Sequence, residues 1–236
     1  MIFVTAEIGT NWMGDYNLLE YLVKYCKKIG INAVKLQALS PELLARHDEL
    51  PWYSKASVNK QNISSIDKIC KRNHMEWYCT PTYPEAVDFL EPYVNIYKIR
   101  TLDNDNKQLC DMVFNTGKQV IISSPKPLRF DDKRIKNLYC IPRYPTTFQE
   151  HNFNLMRKFD GFSNHCLNPI AILKAVMLGA KYIEFHITPT KDQFILDNHV
   201  SFTPEEATEI MRWVSVWTLS HKEYVEKLRK SISFHA

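Results

Sequence analysis

Several short, β-rich runs of this sequence carry ionisable or amide side chains at every second residue, where a buried strand would carry apolar ones. In the run Tyr182–Ile187, Glu184 and His186 share one face, because successive side chains of a strand point in opposite directions. The corresponding residues in or next to the other runs are Glu7, Lys35, Gln37, Lys98 and His165. Burying charges costs several kcal/mol each unless they are paired or bind a ligand. The pattern therefore indicates a functional site or a salt-bridged plug, and the clustering favours the site.

Two histidines of this set are candidates for metal ligands. His165 and His186 each end a run, and the two runs follow each other along the chain. Neighbouring strands lie about 4.8 Å apart, so the two imidazoles could share one divalent ion and leave positions open for water or substrate. Two histidines alone make a weak site, and a hydrogen-bonded structural pair is the commoner role of such residues.

A second set of residues suits an anionic substrate. Lys35 and Lys98 supply two cations, and hydroxyls come from Thr101, Ser123 and Ser163, so a phosphate and a carboxylate could bind together. Polar groups suited to sugar hydroxyls are provided by Gln37, Asp103, Tyr144 and Asp197. A metal-dependent aldolase would use the same set, and the residues alone also leave open a Schiff base on either lysine.

The runs that carry these residues alternate with amphipathic helical patterns eight times. Such alternation builds a parallel sheet with right-handed crossovers, and it predicts a single-domain (β/α)8 TIM barrel over residues 1–236. The predicted strands are Ile2–Ile8, Ala33–Gln37, Glu76–Thr80, Asn95–Thr101, Gln119–Ser123, Lys136–Ile141, Asp160–Ser163 and Tyr182–Ile187. The candidate residues lie toward the carboxyl ends of these strands, where barrel enzymes build their active sites.

Two connections depart from the regular pattern. The segment between Ser123 and Lys136 contains Pro125 and Pro127, so the fifth helix should be short or absent. The longest connection, Ala38–Lys60, is predicted to lie over the barrel mouth. The predicted helices include Asn17–Ile29, Asn62–Asn73, Asn168–Leu178 and a long last helix that runs from Pro204 to about Leu228.

The last helix carries an apolar stripe made of Ile210, Trp213, Val214, Trp217, Tyr224, Val225 and Leu228. Apolar residues at this spacing would either pack on the barrel wall or form a dimer seam. Packing on the wall is the simpler interpretation.

The composition excludes several classes of protein. The chain is 45% hydrophobic and 24% charged, which are ordinary globular values and argue against disorder. The net charge is +4 without a basic run longer than two residues, so a nucleic-acid partner is not expected. No window is long and apolar enough for a membrane span, and the start lacks the basic segment of a signal peptide. We therefore expect a cytoplasmic protein whose six cysteines are reduced thiols.

Eight short motifs also occur in one order along the chain. They are AEIGTNW at 6–12, AVKLQ at 33–37, CTP at 79–81, YKI at 97–99, YP at 144–145, GFSNH at 161–165, EFHIT at 184–188 and finally Asp197. This series resembles the catalytic barrel of the sialic acid (N-acetylneuraminate) synthases, the NeuB-type family of phosphoenolpyruvate-dependent nonulosonate synthases.

The resemblance implies an enzyme that joins phosphoenolpyruvate to an open-chain aldose such as N-acetylmannosamine and releases phosphate. It implies a divalent ion, commonly Mn²⁺ with Mg²⁺ or Co²⁺ as alternatives, held by His165 and His186, and an acid/base or water-orienting role for Glu7. The implied phosphoenolpyruvate-binding residues are Lys35, Lys98, Thr101, Ser123 and Ser163. The implied sugar-contacting residues are Gln37, Asp103, Tyr144 and Asp197.

Departures from the family pattern bear on the acceptor sugar. Arg100 replaces a small residue, and Trp12 replaces a histidine. The family carries an antifreeze-like domain after the barrel, whose arginine reaches the sugar site of a partner subunit, whereas this sequence ends with its last barrel helix. We therefore expect Arg100 or Arg143 to supply a cation to the sugar site instead. A homodimer, or a separate subunit that supplies the missing domain, stays open.

Three functions are compatible with the sequence. The favoured one is a nonulosonate synthase, because both histidines, both lysines, Glu7 and Asp197 are present. The second is a related phosphoenolpyruvate-dependent or aldolase-type enzyme that forms a carbon–carbon bond with a different acceptor. The third is a non-catalytic barrel that binds a sugar acid or accompanies a synthase subunit. Glu7 counts against the third, because binding alone does not require a buried carboxylate beside two lysines.

Overall fold

The protein is a closed parallel barrel, here described from a computed structural model that covers residues 2–45 and 50–233. Its strands are β1 (Phe3–Gly9), β2 (Ala33–Ala38), β3 (Glu76–Pro81), β4 (Ile96–Ile99), β5 (Gln119–Ser124), β6 (Ile135–Tyr139), β7 (Gly161–Asn164), β8 (Tyr182–Ile187) and β9 (Ser201–Phe202). Neighbours in the sheet follow chain order, and β1 pairs with both β2 and β8. This closure confirms the predicted (β/α)8 TIM barrel. The two-residue β9 pairs with β8.

Helices connect most of the strands. They are α1 (Tyr16–Lys28), α2 (Pro41–Leu44), α3 (Leu50–Ala56), α4 (Ile63–Arg72), α5 (Ala86–Leu90), α6 (Lys107–Asn115), α7 (Phe153–Met156), α8 (Ile170–Met177) and α9 (Pro204–Ser233). Helix α1 shows why these segments are helical. Asp15 accepts a hydrogen bond from the amide of Asn17 at its start, and its buried face includes Leu19 and Cys26. Gly30, with a φ of +84°, follows its end.

No helix lies between β5 and β6 in residues 125–134, all of which the structure describes. The prediction of a short or absent fifth helix is therefore confirmed. Some strand ends differ from the sequence prediction. Strand β4 ends at Ile99 because Thr101–Asp103 forms a 3₁₀ turn, and β6 ends at Tyr139, before the segment that leads into Pro142.

The barrel interior is layered. Ala33, Tyr78, Ile96, Ile121 and Leu138 form a small buried apolar cluster inside the strands. A larger apolar core fills the space between the strands and the surrounding helices. Above the inner cluster the interior becomes polar, as the period-two pattern predicted.

The long connection between β2 and β3 folds back toward β1. Trp12 is fully buried, and its Nε1 donates to the carbonyl oxygen of Ala56 at 2.8 Å. Because Trp12 follows β1 and Ala56 ends α3, this bond fixes the connection close to the carboxyl ends of the strands.

Helix α9 begins with a reciprocal cap in which Thr203 and Glu206 bond each other's backbone amides. The residues of its predicted apolar stripe differ in exposure. Val214 is buried, whereas Trp213 and Trp217 are 50% and 36% exposed. The stripe residues Tyr224, Val225 and Leu228 have side chains outside the described part of the chain. Within residues 2–45 and 50–233, no helix combines the length and the apolar character needed to cross a bilayer.

Candidate functional site

A cavity of about 310 Å³ opens at the carboxyl ends of the strands. Its volume is in the range of small-molecule sites. The β2–β3 connection contributes Leu39, Leu43 and Tyr53 to its wall, which confirms that this connection lies at the barrel mouth. The cavity brings together most of the residues that the sequence singled out, namely Glu7, Lys35, Gln37, Lys98, Arg100, Thr101, Ser123, Tyr144, Ser163, His165, His186 and Asp197.

Two candidate residues, Asp103 and Arg143, are not part of the cavity wall. Arg143 lies in the turn after β6, where its exposed side chain forms an ion pair with Glu150. The expectation that it brings a cation to the sugar site is therefore not met by its position. Asp103 is buried behind Arg100 and binds the guanidinium of that residue. It can act on a ligand only through Arg100.

Glu184 lies at the centre of an ionic network on the cavity floor. Its Oε1 accepts hydrogen bonds from Lys98 Nζ at 2.7 Å and from Ser163 Oγ at 2.8 Å. Lys35 Nζ lies 3.8 Å from the same oxygen and donates to Thr80 Oγ1 at 3.2 Å. All five side chains are buried. One carboxylate therefore orients both lysines.

Sequence reasoning did not assign Glu184 to the site, although it placed this residue on the inward face of β8. The alternation in Tyr182–Ile187 was the sequence feature that could have identified it. Glu184 lies on the inward face between Tyr182 and His186 and is also polar. Buried lysines require counter-charges, and the carboxylate on the adjacent inward position was the available partner.

The network sets the protonation of its members. Burial lowers the pKa of Lys35 to about 8, although Glu184 opposes the shift. Burial alone would raise the pKa of Glu184, but Lys35 and Lys98 outweigh it and hold that pKa well below its usual range. Glu184 is therefore ionised at neutral pH, and Lys35 is a cation that loses its charge just above neutral pH.

The polar tips of Glu7, Gln37 and Asp197 meet around Gly9, which has a φ of +51°. A β-carbon at Gly9 would lie 2.6 Å from Glu7 Oε1, 3.2 Å from Gln37 Nε2 and 3.4 Å from Asp197 Oδ2. Glu7 also contacts Lys35, while its buried Oε1 has no hydrogen-bond partner. A buried acceptor without a partner is costly, so this oxygen is available to a ligand.

His165 and His186 lie next to each other at the mouth, with ring centroids 5.4 Å apart. His165 Nδ1 lies 3.0 Å from the carbonyl oxygen of Ile141. Because a carbonyl can only accept, Nδ1 carries the proton and Nε2 keeps its lone pair. Burial, assisted by His186, lowers the pKa of His165 to about 3, so this imidazole is neutral. Tyr144 stacks on it at a centroid distance of 3.9 Å.

These imidazoles fit a divalent ion. His186 Nδ1 is buried without a hydrogen-bond partner and lies 3.6 Å from Asp197 Oδ2. Imidazoles with a nitrogen free of hydrogen bonds are common ligands of such metals. No three His, Cys, Asp or Glu side chains converge as ligands of one ion in the described ranges 2–45 and 50–233. The protein therefore offers two imidazoles, and water or substrate would complete the coordination.

Asp197 owes its place at the mouth to a buried amide. Asn11 Oδ1 accepts from the Asp197 amide at 2.9 Å, and Asn11 Nδ2 donates to the Ile187 carbonyl at 2.8 Å and to Ser201 Oγ at 3.0 Å. Ser201 Oγ in turn donates to the Asp197 carbonyl at 2.6 Å. These bonds join the segment after β8 to the end of β1.

Comparison with known proteins gives a consistent relationship. The chain is 29% identical over 231 residues to the uncharacterized protein MJ1065 of Methanocaldococcus jannaschii, covering 89% of this chain and 68% of that protein. It is 25% identical over 241 residues to the N,N'-diacetyllegionaminic acid synthase of Campylobacter jejuni, covering 86% and 72%. In structure it is similar to the N-acetylneuraminic acid synthetase of Leptospira borgpetersenii, with a TM-score of 0.81, 23% identity and coverage of 96% and 90%.

The model of the NeuB family matches residues 22–126 and 129–224, which is most of the chain. The matched ranges contain the lysines, the histidines and Glu184, whereas Glu7 precedes them. The resemblance deduced from the short motifs is thereby confirmed: the chain is an enzyme that belongs to the NeuB family.

Proposed function

We propose that this protein is a nonulosonate synthase that condenses phosphoenolpyruvate with an open-chain aldose, such as N-acetylmannosamine, and releases phosphate. The observation that carries the proposal is the arrangement of the cavity. At the floor of the cavity, the ammonium groups of Lys35 and Lys98 both lie near the buried carboxylate of Glu184. The imidazoles of His165 and His186 lie next to each other at the mouth. The donor, with its carboxylate and phosphate, and the polar acceptor would thus occupy successive levels of one cavity.

The floor would bind the donor. Lys35 and Lys98 would hold its carboxylate and phosphate, with hydroxyl groups from Thr101, Ser123 and Ser163. Glu184 fixes both ammonium groups before the donor arrives, so little reorganisation is needed when it binds.

The mouth would bind the acceptor. Gln37, Tyr144 and Asp197 would contact its hydroxyls. His165 and His186 would hold the divalent ion, most commonly Mn²⁺, which when bound supplies Lewis-acid polarisation of an aldehyde.

The reaction balances with residues of this chain as the proton carriers. C3 of phosphoenolpyruvate attacks the aldehyde carbon, a water oxygen adds to C2, and the bond between C2 and the phosphate oxygen breaks. The water loses a proton, and the new alkoxide gains one. Glu7 would carry out this transfer, and its buried Oε1, which has no hydrogen-bond partner, supports that role. The hydroxyl proton left at C2 departs with phosphate, which leaves a 2-keto acid.

The test is phosphate release from phosphoenolpyruvate with Mn²⁺ across a panel of aldoses that includes N-acetylmannosamine. We expect release only when an acceptor is present, with loss on chelation and recovery on adding Mn²⁺. His186→Ala should lower the rate at least about 100-fold, whereas His221→Ala, on the exposed surface of α9, should not change it. No release with any aldose, together with no phosphoenolpyruvate binding in calorimetry, would favour a non-catalytic barrel.

One observation favours a second candidate, an aldolase that forms a Schiff base. Burial lowers the pKa of Lys35 to about 8, and a lowered amine pKa is what such enzymes require. The carboxylates count against it, because Lys35 contacts Glu7 and lies 3.8 Å from Glu184, which stabilises the charged ammonium.

A further inference from the structure

A second cavity, with a volume of about 200 Å³, lies on the outer side of β5. Residues 125–134, which connect β5 to β6, form no helix, so this connection does not cover the outer face of β5 as a helix would. Space therefore remains between β5, α6 and the connection. The side chains around it are those of Asn104, Cys110, Phe114, Ile122, Leu128 and Phe130.

Strand β5 separates this second cavity from the one at the barrel mouth. Ile121 belongs to the inner apolar cluster and Ile122 to the outer core, as expected for consecutive residues of a strand. Ser123 accordingly lies in the wall of the first cavity, and Ile122 lies in the wall of the second. Within the described residues, the two walls have no member in common. A molecule in the second cavity would therefore occupy a site of its own.

Four side chains give the second cavity an apolar interior. Ile122 is buried, Leu128 and Phe130 are partly exposed, and the rings of Phe114 and Phe130 meet edge to face with centroids 6.0 Å apart. An apolar protein cavity of about 150 Å³ takes up a benzene ring. A cavity of about 200 Å³ therefore has room for one aromatic ring with a small substituent.

Asn104 supplies one polar group that lacks a partner. Its Nδ2 donates to the carbonyl oxygen of Ser123 at 3.1 Å, and because a carbonyl only accepts, this bond fixes which end of the amide is the oxygen. Asn104 Oδ1 is buried and has no hydrogen-bond partner within the described residues. The other polar wall residues, Asp105 and Lys107, are exposed to water. An unpaired buried acceptor is costly, so the cavity favours a ligand that brings a donor to Asn104.

We infer that the second cavity is a binding site for a small aromatic molecule that carries one O–H or N–H donor. Its ring packs against Phe114, Leu128 and Phe130, and its donor binds Asn104 Oδ1. The inference goes beyond the proposed function and does not rest on it, because the residues that would bind phosphoenolpyruvate and the aldose lie in the other cavity.

The test uses phenol and toluene as probes, because the two rings have similar size and only phenol has a donor. Calorimetry measures the Kd of each probe with the unmodified protein and with Asn104→Leu, which removes the acceptor at similar side-chain size. We expect phenol to bind about 3- to 10-fold more weakly to Asn104→Leu, as for the loss of one hydrogen bond. Toluene should bind to this variant as tightly as before or more tightly.

Leu128→Ala tests the position of the ring. It removes apolar contact area without touching Asn104, and it should weaken phenol and toluene equally, by about 3- to 10-fold. Leu219→Ala, at an exposed leucine of α9, is the matched control and should change neither Kd. Because Leu128 is partly exposed, its variant keeps the test decisive if Asn104→Leu does not fold.

Cys110 reports on occupancy directly. It is the half-buried member of the six cysteines, whereas the other five are buried. Its alkylation by N-ethylmaleimide, followed by mass spectrometry of the peptide that contains it, should become slower as phenol is added. In Leu128→Ala, more phenol should be needed for the same protection.

Three results would overturn the inference. The first is no binding of phenol at millimolar concentration together with unchanged alkylation of Cys110, which would mean that the cavity holds water only. The second is an unchanged Kd of phenol in folded Asn104→Leu, and the third is an unchanged Kd of both probes in Leu128→Ala. Absence of phosphate release contradicts the proposed function instead and leaves this inference standing, because none of these measurements needs a substrate.

Discussion

At the scale of single residues, Lys35 should give the enzyme a pH dependence. Burial lowers its pKa to about 8, so the charged form, which we propose binds the anionic donor, declines as the pH rises through that value. Because kcat/KM reports the free enzyme, kcat/KM for phosphoenolpyruvate should fall about tenfold per pH unit above pH 8. A pH–rate profile from pH 6.5 to 10 measures this.

Lys35→Arg provides the comparison, because arginine stays protonated throughout this range. Its activity should be lower but should no longer decline through pH 8. A wild-type profile that is flat between pH 7 and 9.5 would show that the charge of Lys35 is not needed for donor binding.

Glu184 is the residue on which the stability of the cavity floor depends. In Glu184→Gln, Lys98 loses a carboxylate at 2.7 Å and Lys35 loses one at 3.8 Å. An unpaired buried charge costs about 3–5 kcal/mol, so the free energy of unfolding should fall by about that amount in urea titrations. Glu20→Gln removes the half-buried partner of Arg72 on the outside of the barrel and should have a far smaller effect. Similar losses in the two variants would contradict the role given to the floor network.

At the scale of elements, Asn11 is a positioning residue for Asp197. Asn11→Ala leaves the Asp197 amide and the Ile187 carbonyl without their partner, and it should cost about 1–3 kcal/mol of stability. It should also raise the KM of the aldose about tenfold while phosphoenolpyruvate binding in calorimetry stays within about twofold, because we propose that Asp197 contacts the acceptor. Asn95→Ala, an exposed position before β4, is the control. A loss of stability without a change in the aldose KM would make Asn11 merely structural.

The order and type of the elements were predictable because β-rich runs, several of them with period-two polarity, alternate with segments of helical periodicity. The absent fifth helix followed from Pro125 and Pro127. Strand ends were less predictable, since the 3₁₀ turn after β4 depends on contacts that the local sequence does not contain. Among them, the Thr101 hydroxyl donates to the Ser123 carbonyl at 3.0 Å.

The members of the candidate site were predictable where the strand sets the direction of the side chain, as for Lys35 and Lys98. They were not predictable in turns, where the direction depends on a partner. Arg143 illustrates this limit, because Glu150 draws its guanidinium away from the cavity. Glu184 was visible in the pattern, but its importance follows from the distance to two lysines on other strands.

At the scale of the whole molecule, closure of the barrel requires Gly161. A β-carbon at this position would lie 2.0 Å from the carbonyl oxygen of Tyr182, which is backbone of the neighbouring strand β8. Gly161→Ala should therefore lower the free energy of unfolding by more than about 4 kcal/mol, measured by denaturant titration. Gly30→Ala, where no atom lies within 4 Å of the new carbon, should cost about 1 kcal/mol from its positive φ. Equal effects would contradict the steric argument.

The whole barrel also determines what the site can do, because its residues come from strands β1 to β5, β7 and β8 and from the segments that follow the strands, and they converge only when the barrel closes. The central claim is that this convergence makes a synthase that uses phosphoenolpyruvate rather than pyruvate. The most direct measurement is a mass spectrum of the product formed with Mn²⁺ and an aldose, with each donor supplied in turn. We predict a product with the summed mass of the aldose and pyruvic acid when phosphoenolpyruvate is the donor, and no product when pyruvate is the donor. One phosphate should be released for each product molecule. Formation of the product from pyruvate, together with a pyruvate Schiff base that borohydride traps on Lys35, would contradict this account. That result would establish the Schiff-base aldolase.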